Sequence, residues 1–323
     1  MKRIVITGAG GFVGSYVVAA ELAAGNYVVG IDVAPPDKVR EFLSHKDFVY
    51  VQEDILKEGV LDTFVKGADI LYHFAAIADP SVYCDDPLRV LQVDLEGSQL
   101  AIRLAYEYNV KLIFSSTSEI YGKNLSVPWH ELDDRVLGPT NKARWSYSTA
   151  KAAGEHYCFA YGKRGLTFVI LRFFNFYGPK LDFVGGGRVI TCFLEKFFSG
   201  KPVEVVEPGS QTRCFTYIKD GAEAVYLSAH TEEAEGTIIN IGTTEEVSIL
   251  DLAQLMREVG GFQSQIRYVK PESRFGADYD DIMRRVPDAD RAHSLLNWTP
   301  TTSLAEGLRE TIAYYRRQEC VSQ

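Results

Sequence analysis

The sequence predicts an α/β protein, a doubly wound parallel sheet with a smaller α/β lobe that binds substrate. Three observations predict it. Short β-rich runs alternate with helix-length segments through the first half of the chain. A glycine-rich turn joins the first run directly to the first helix. After Gly178-Pro179 the alternation gives way to an irregular mixture of short strands and helices.

The elements follow in order. Arg3–Thr7, Tyr27–Asp32, Phe48–Gln52, Ile70–Phe74, Lys111–Ser115 and Thr167–Phe173 are apolar or β-branched runs of strand length. Val13–Ala24 and Leu88–Tyr108 are helical in pattern. Alternation of this kind predicts parallel strands covered by helices on both faces. In the second half Val189–Phe198, Ser248–Val259 and Leu304–Arg316 read as helices, and Pro202–Val206 and Gly236–Ile241 as strands. Residues 1–175 with about 214–245 are expected to form the cofactor domain, and about 176–213 with 246–323 the smaller lobe. Thr216–His230 and Ile238–Ile241 leave that boundary soft, because both can return to the main sheet.

Composition narrows the function classes. The 323 residues are 46% hydrophobic and 24% charged, ordinary for a globular enzyme. A net charge of −9 argues against a nucleic-acid or membrane-surface partner. No apolar run reaches the roughly 18 residues of a membrane span, and the first residues lead into the glycine turn rather than into a signal sequence. The five cysteines and six histidines are scattered without metal-ligand or disulfide spacing. A cytoplasmic protein with reduced thiols and no metal is the expectation.

Gly8-Ala9-Gly10-Gly11-Phe12-Val13-Gly14 opens the first helix with the spacing Gly8-x-x-Gly11-x-x-Gly14. Glycines there let the backbone turn tightly and approach a pyrophosphate, whose charge sits at the helix N-terminus. Asp32 ends the second strand, placed to accept hydrogen bonds from an adenosine ribose and to repel a 2′-phosphate. Val33 follows it where an NADP site would favour Arg. Together these residues predict a Rossmann-type domain holding NAD. Asp54 and Ile55, after the third strand, are candidates for the adenine border. Ala75 and Ala76, after the fourth, are small enough for the cofactor to pass.

Tyr147 and Lys151 stand at i and i+4, on one helix face. A Tyr is a poor base at neutral pH, but a neighbouring Lys⁺ and a positive nicotinamide favour the phenolate. Tyr-x-x-x-Lys alone is common on helices, where a packed ring and a snorkelling amine are the ordinary reading. Beside the glycine turn, Asp32 and the Ser/Thr run at 115–118 it becomes specific.

With these residues, the chain resembles the extended short-chain dehydrogenase/reductase family, which acts on nucleotide sugars. The resemblance runs through Thr7–Gly14, His73–Ala76, Tyr147–Lys151, Arg172–Pro179 and Arg213–Asp220. It implies that Tyr147 is the base, that Lys151 assists it and binds the nicotinamide ribose, and that Thr117 binds the reacting hydroxyl. It also implies a homodimer paired through Leu88–Tyr108 and Ser148–Tyr161.

Ser115-Ser116-Thr117-Ser118-Glu119 separates subfamilies. Sugar 4,6-dehydratases carry an acid pair after the Thr; here Ser118, a poor acid, precedes Glu119. Simple 4-epimerases need no carboxylate at 119. Ser118-Glu119, Lys142–Tyr147 and Phe275–Asp288 resemble UDP-glucuronate decarboxylases of the aminoarabinose pathway and UDP-apiose/xylose synthases. That resemblance implies Glu119 and Arg285 as the acid/base pair. It also implies a substrate site of Ala78, Tyr83, Thr117, Ser118, Arg144, Asn175, Arg213 and Tyr279. Glu204 and a short 181–188 segment depart from the pattern. Decarboxylation of a UDP-glucuronate-type sugar is therefore the expected activity. The alternatives are a nucleotide-sugar epimerase or dehydratase and, more remotely, a non-catalytic NAD(H)-binding regulator.

Overall fold

A computed structural model describes residues 1–182, 184, 187–270 and 282–321. Seven strands form one parallel sheet: β1 (Arg3–Thr7), β2 (Tyr27–Asp32), β3 (Phe48–Gln52), β4 (Ile70–His73), β5 (Lys111–Thr117), β6 (Phe168–Phe173) and the later strand Thr237–Ile241. Their order across the sheet is Thr237–Ile241, β6, β5, β4, β1, β2, β3. The doubly wound architecture expected from the alternation is the one observed.

Both faces are buried, and the pleat explains which residue goes where. Ile4 and Ile6 join Val17, Val18, Ala224 and Val225 in the core beneath the helices α1 (Phe12–Ala23) and Ile218–His230. Val5, on the opposite face of β1, joins Leu71, Leu112, Phe114, Ala101, Ile102 and Cys158. That second face is covered by the helices Gly97–Glu107 and Trp145–Gly162.

The helical segment expected at Leu88–Tyr108 is broken. It comprises Pro87–Leu91, a π-helical turn at Gln92–Glu96, and Gly97–Glu107. The wide turn brings Asp94 fully into the interior, where its carboxylate accepts from Ile77 N at 3.1 Å. β5 runs two residues past its expected end at Ser115, because the pairing with β6 continues to Thr117↔Phe173.

Between β6 and the last sheet strand, the chain builds further short strands. These are β7 (Phe176–Tyr177), β8 (Val203–Val206), β9 (Thr212–Cys214) and β10 (Thr216–Tyr217), followed after β11 (Thr237–Ile241) by β12 (Glu246–Ser248), β13 (Ile266–Val269) and β14 (Arg284–Arg285). β9 lies between β12 and β14, and the register sets Arg285 opposite Arg213. A third core, including Phe193, Leu194, Phe197, Leu252, Met256, Leu308 and Ile312, packs this half. Among the described residues no helix is long and apolar enough to cross a membrane, and no group of His, Cys, Asp or Glu has metal-site geometry.

Candidate active site

Because the main strands are parallel, the carboxyl ends of β1, β4, β5 and β6 meet at one edge. Gly8, Phe74, Ala76, Thr117–Glu119, Phe173 and Asn175 therefore surround one cleft of about 730 Å³.

The glycine turn forms one wall. Gly8 takes φ +72°, and a Cβ there would lie 2.7 Å from the Phe74 carbonyl carbon. A Cβ at Gly14 would lie 2.1 Å from the Gly8 oxygen. No side chain caps Gly11, the N-cap of α1, so that end of the helix presents backbone N–H groups suited to a pyrophosphate. Asp32 accepts from Gly10 N and Ala34 N, both at 2.9 Å. Burial pushes its carboxyl upward, against the pull of these backbone bonds. Gly8, Gly11, Phe12, Val13, Gly14 and Ala76 line the cleft, while Asp32 stands behind the turn.

Three of the expected cofactor-side residues, like Asp32, are engaged by neighbouring protein groups. Ile55 is 4% exposed within the core beneath Gly97, because an isoleucine there packs against the helix rather than facing solvent. Asp54 pairs with Arg89 at 3.0 Å. Ala75 turns toward the sheet, its N–H donating to Thr7 Oγ1 at 3.2 Å. None of the three lines the cleft.

Tyr147 projects from the helix Trp145–Gly162, and its ring stacks on Tyr83 with centroids 4.8 Å apart and planes 8° apart. Its hydroxyl faces Thr117, whose Oγ1 accepts from Glu119 N at 3.2 Å. Burial raises the Tyr147 pKa well above the ordinary tyrosine value, Asp94 and Glu119 add to the rise, and Arg188 and the Thr117 hydroxyl oppose it. The expected help from Lys151 differs in kind. Lys151 is also buried, and its Nζ lies 3.6 Å from Asp94 Oδ1, so its charge is compensated within the protein. Burial lowers its pKa, and Asp94 counters this.

Across the cleft the polar centre is Glu119. Its carboxylate meets Arg285 Nη1 at 2.6 Å and Arg144 Nη2 at 3.3 Å. Burial works to raise its pKa, but Arg285, Arg144 and then Arg213 overcome it and hold Glu119 below the usual carboxylate range. Arg285 is buried, not the solvated member of a surface pair, whereas Arg284 is the exposed one and grips Glu246 through two bonds of 2.8 Å. β14 thus turns Arg284 out and Arg285 in. Ala78, Tyr83, Ser118, Asn175 and Arg213 also line the cleft. Tyr279 and most of the 275–288 resemblance fall outside the described residues.

The sequence reading missed Lys38, Asp182, Arg188 and Asp94. Lys38 and Arg188 line the cleft. Burial and the neighbouring Arg188 and Lys180 lower the Lys38 pKa, opposed by Asp182 and Asp32. The 180–182 segment crosses toward it: Lys38 Nζ donates to Leu181 O at 3.3 Å, and Lys180 Nζ donates to Lys38 O at 2.7 Å. Nothing local in sequence links these segments. Asp94 did leave a trace, as an acid at a helix position flanked by buried Val90, Val93 and Ser98.

A glycine turn at a helix N-terminus, an acid behind it, and a Tyr and Lys on one helix beside Thr117 define a dinucleotide-dependent oxidoreductive site. Residues 4–242 match the model of the NAD dependent epimerase/dehydratase family, so the chain belongs to that family and uses NAD. It is similar over its whole length to several solved structures. The PbgP3 protein from Burkholderia pseudomallei is 29% identical, covering 99% of this chain and 98% of that one, with a TM-score of 0.89. A UDP-glucuronic acid 4-epimerase from Bacillus cereus, in complex with UDP-glucuronic acid and NAD, is 27% identical, with 98% and 99% covered and a TM-score of 0.87. A UDP-N-acetylglucosamine 4-epimerase from Methanobrevibacter ruminantium M1, in complex with UDP-N-acetylmuramic acid, is 27% identical, with 98% and 99% covered and a TM-score of 0.88.

Proposed function

We propose that the protein decarboxylates UDP-glucuronate through a 4-ketone, giving a UDP-4-keto-pentose, UDP-xylose or both. The observation that carries this reading is the cluster at Glu119, where Arg285, Arg144 and Arg213 surround one carboxylate. Glu119 holds the Arg144 and Arg285 guanidinium groups in a buried place two residues past Thr117, where a planar fork can receive a second carboxylate. The carboxylate of a uronate suits guanidinium groups that close to the reacting hydroxyl, whereas the diphosphate, common to every UDP-sugar, does not distinguish one sugar from another. In this reading residues 1–175 with about 214–245 hold the cofactor, and the remainder holds the nucleotide.

Bound NAD supplies the acceptor, and later the donor, for a hydride at sugar carbon 4. Tyr147, as phenolate, takes the 4-hydroxyl proton while that carbon loses hydride. The ketone so formed is β to the carboxylate on carbon 5. The bond to the carboxyl carbon breaks, carbon dioxide leaves, and the electron pair moves to the 4-oxygen. Thr117 and protonated Tyr147 donate to that enolate. Glu119 is held ionised, so it is a poor immediate proton source for carbon 5. Its role is to fix Arg144 and Arg285 and to orient a water that gives carbon 5 its proton, so that the enolate returns to the 4-ketone and the hydroxide left takes up a proton from solvent. Arg285 holds charge and does not give up a proton, since a guanidinium is never neutral here.

A uronate 4-epimerase is the second reading, because the same arginine cluster would bind its substrate and one structure similar to this chain holds UDP-glucuronic acid. Incubation with UDP-glucuronate and NAD, followed by mass spectrometry and NMR of the sugar product, separates the two. A pentose or keto-pentose supports decarboxylation. An unchanged mass with inverted carbon 4 overturns it in favour of epimerisation.

A further inference from the structure

Lys151 has an unusual companion. It is 1% exposed and sits 5.3 Å from the Phe114 ring centroid and 5.9 Å from that of Tyr147. Asp94, 0% exposed, faces it at 3.6 Å, a separation longer than a direct hydrogen bond. Among the described residues, neither Lys151 Nζ nor Asp94 Oδ1 has a hydrogen-bond partner. The other carboxylate oxygen accepts from Ile77 N, in the loop that lines the cleft between Ala76 and Ala78. Asp94 reaches this place from the π-helical turn Gln92–Glu96. Such turns commonly redirect a side chain toward a functional site.

We infer that Asp94 is a positioning residue that sets how much of the Lys151 charge reaches Tyr147, and so at what pH Tyr147 can act as a base. The inference rests on the Tyr147–Lys151 acid/base reading but not on decarboxylation, because it concerns the hydride step alone. Burial raises the Asp94 carboxyl to about 6 against the pull of Lys151, so above that pH Asp94 is ionised, compensates Lys151 and opposes a second negative charge on the Tyr147 oxygen. Removing that negative charge lifts its direct repulsion of the Tyr147 oxygen, which favours the phenolate wherever Lys151 stays protonated. The other charged or titratable groups facing this set are Tyr83 from the helix Pro80–Asp85, Glu119 after β5, Arg188 before the helix Val189–Phe198, and His73 on β4. Glu119 and Arg188 act on Tyr147 in opposite directions. Burial, and after it Lys151, pushes His73 down to about 3, so His73 stays neutral through the working range.

The test is a single-turnover measurement of NADH formation against pH, with UDP-glucuronate and with UDP-glucose as hydride donors. Asp94→Asn keeps the shape and the acceptor for Ile77 N but removes the charge. Its acid limb is expected to move down by about one pH unit, tenfold in the fraction of active base. The plateau rate and the KM should change far less. Asp94→Ser, a second variant should the first fold poorly, should move the limb the same way. A limb that stays in place in a folded variant, with only the rate or stability reduced, assigns Asp94 a merely structural role and overturns the inference. Tyr147→Phe is the control. If it still forms NADH, the acid/base reading fails and the inference with it. If it is inactive while the Asp94→Asn limb is unmoved, only the inference fails.

Discussion

Glu119→Gln separates the step that breaks a carbon–carbon bond from the step that moves hydride. The substitution is nearly isosteric but removes the charge that Arg285 meets at 2.6 Å and Arg144 at 3.3 Å. All three side chains are almost fully buried: Glu119 is 12% exposed, Arg285 10% and Arg144 7%. Breaking a buried pair from one side costs on the order of 3–5 kcal/mol, because the remaining charge keeps its desolvation penalty. If about 3 kcal/mol of that is lost from the decarboxylation transition state, the step slows by about two orders of magnitude. An acid/base role for Glu119 gives a loss of the same size. Hydride transfer at carbon 4 depends on Tyr147 and Thr117 and needs no carboxylate, so it should fall little. The assay follows carbon dioxide release and the single-turnover NADH burst from the same sample, with NAD binding by calorimetry as the check on folding. Expected are a normal Kd for NAD, a retained burst, and carbon dioxide release reduced about a hundredfold. Normal carbon dioxide release by the Glu119→Gln protein would refute the assignment. Loss of burst and release together, with NAD still bound, would refute the division of labour.

The remaining predictions touch other parts of the molecule. Asp32→Ala should narrow a preference for NAD over NADP, measured by calorimetry, because Asp32 is the carboxylate set behind the glycine turn; equal affinities in the unaltered protein would contradict this. Light scattering at micromolar concentration should give a dimer, with the helices Gly97–Glu107 and Trp145–Gly162 at the interface, and a monomer would count against it. Stability should fall with acidification through His73, which burial and then Lys151 push down to about 3. Its folded pKa lies below the unfolded value, so its contribution is complete above about 6.5 and is lost as pH falls toward 3, at roughly 1.4 kcal/mol per unit. Denaturant melts of His73→Asn should show a flatter dependence between pH 6 and pH 4, and an unchanged slope would show that other groups carry it.

The two halves of the site differ in how far the sequence revealed them, and the reason is the length scale of the interactions. The glycine turn, Asp32 and the Tyr147–Lys151 pair are local patterns, each completed within one turn or at one strand end, so their spacing alone places them. β1 and β2 were readable to the residue because each is a bounded apolar run buried on both faces, and the half-exposed edge strand β3 because it is a bounded run of β-branched and aromatic residues. The strand β14 is two residues long and has no pattern of its own. Arg285 reaches Glu119 only because β14 adds to β9 in register with Arg213, 166 positions along the chain from Glu119. Resemblance named Arg285, but neighbouring Arg284 was an equal candidate on composition. Only the pairing of Arg284 with Glu246 on β12 explains why one arginine faces solvent and the next faces the cleft. Asp94 is the opposite case. Its position is local, but the π-helical turn that aims it is set by what it meets, Lys151 and Ile77 N, and not by helix propensity. A buried acid in a helix therefore marks a partner still to be found: the uncompensated charge costs too much for the position to be filled without one.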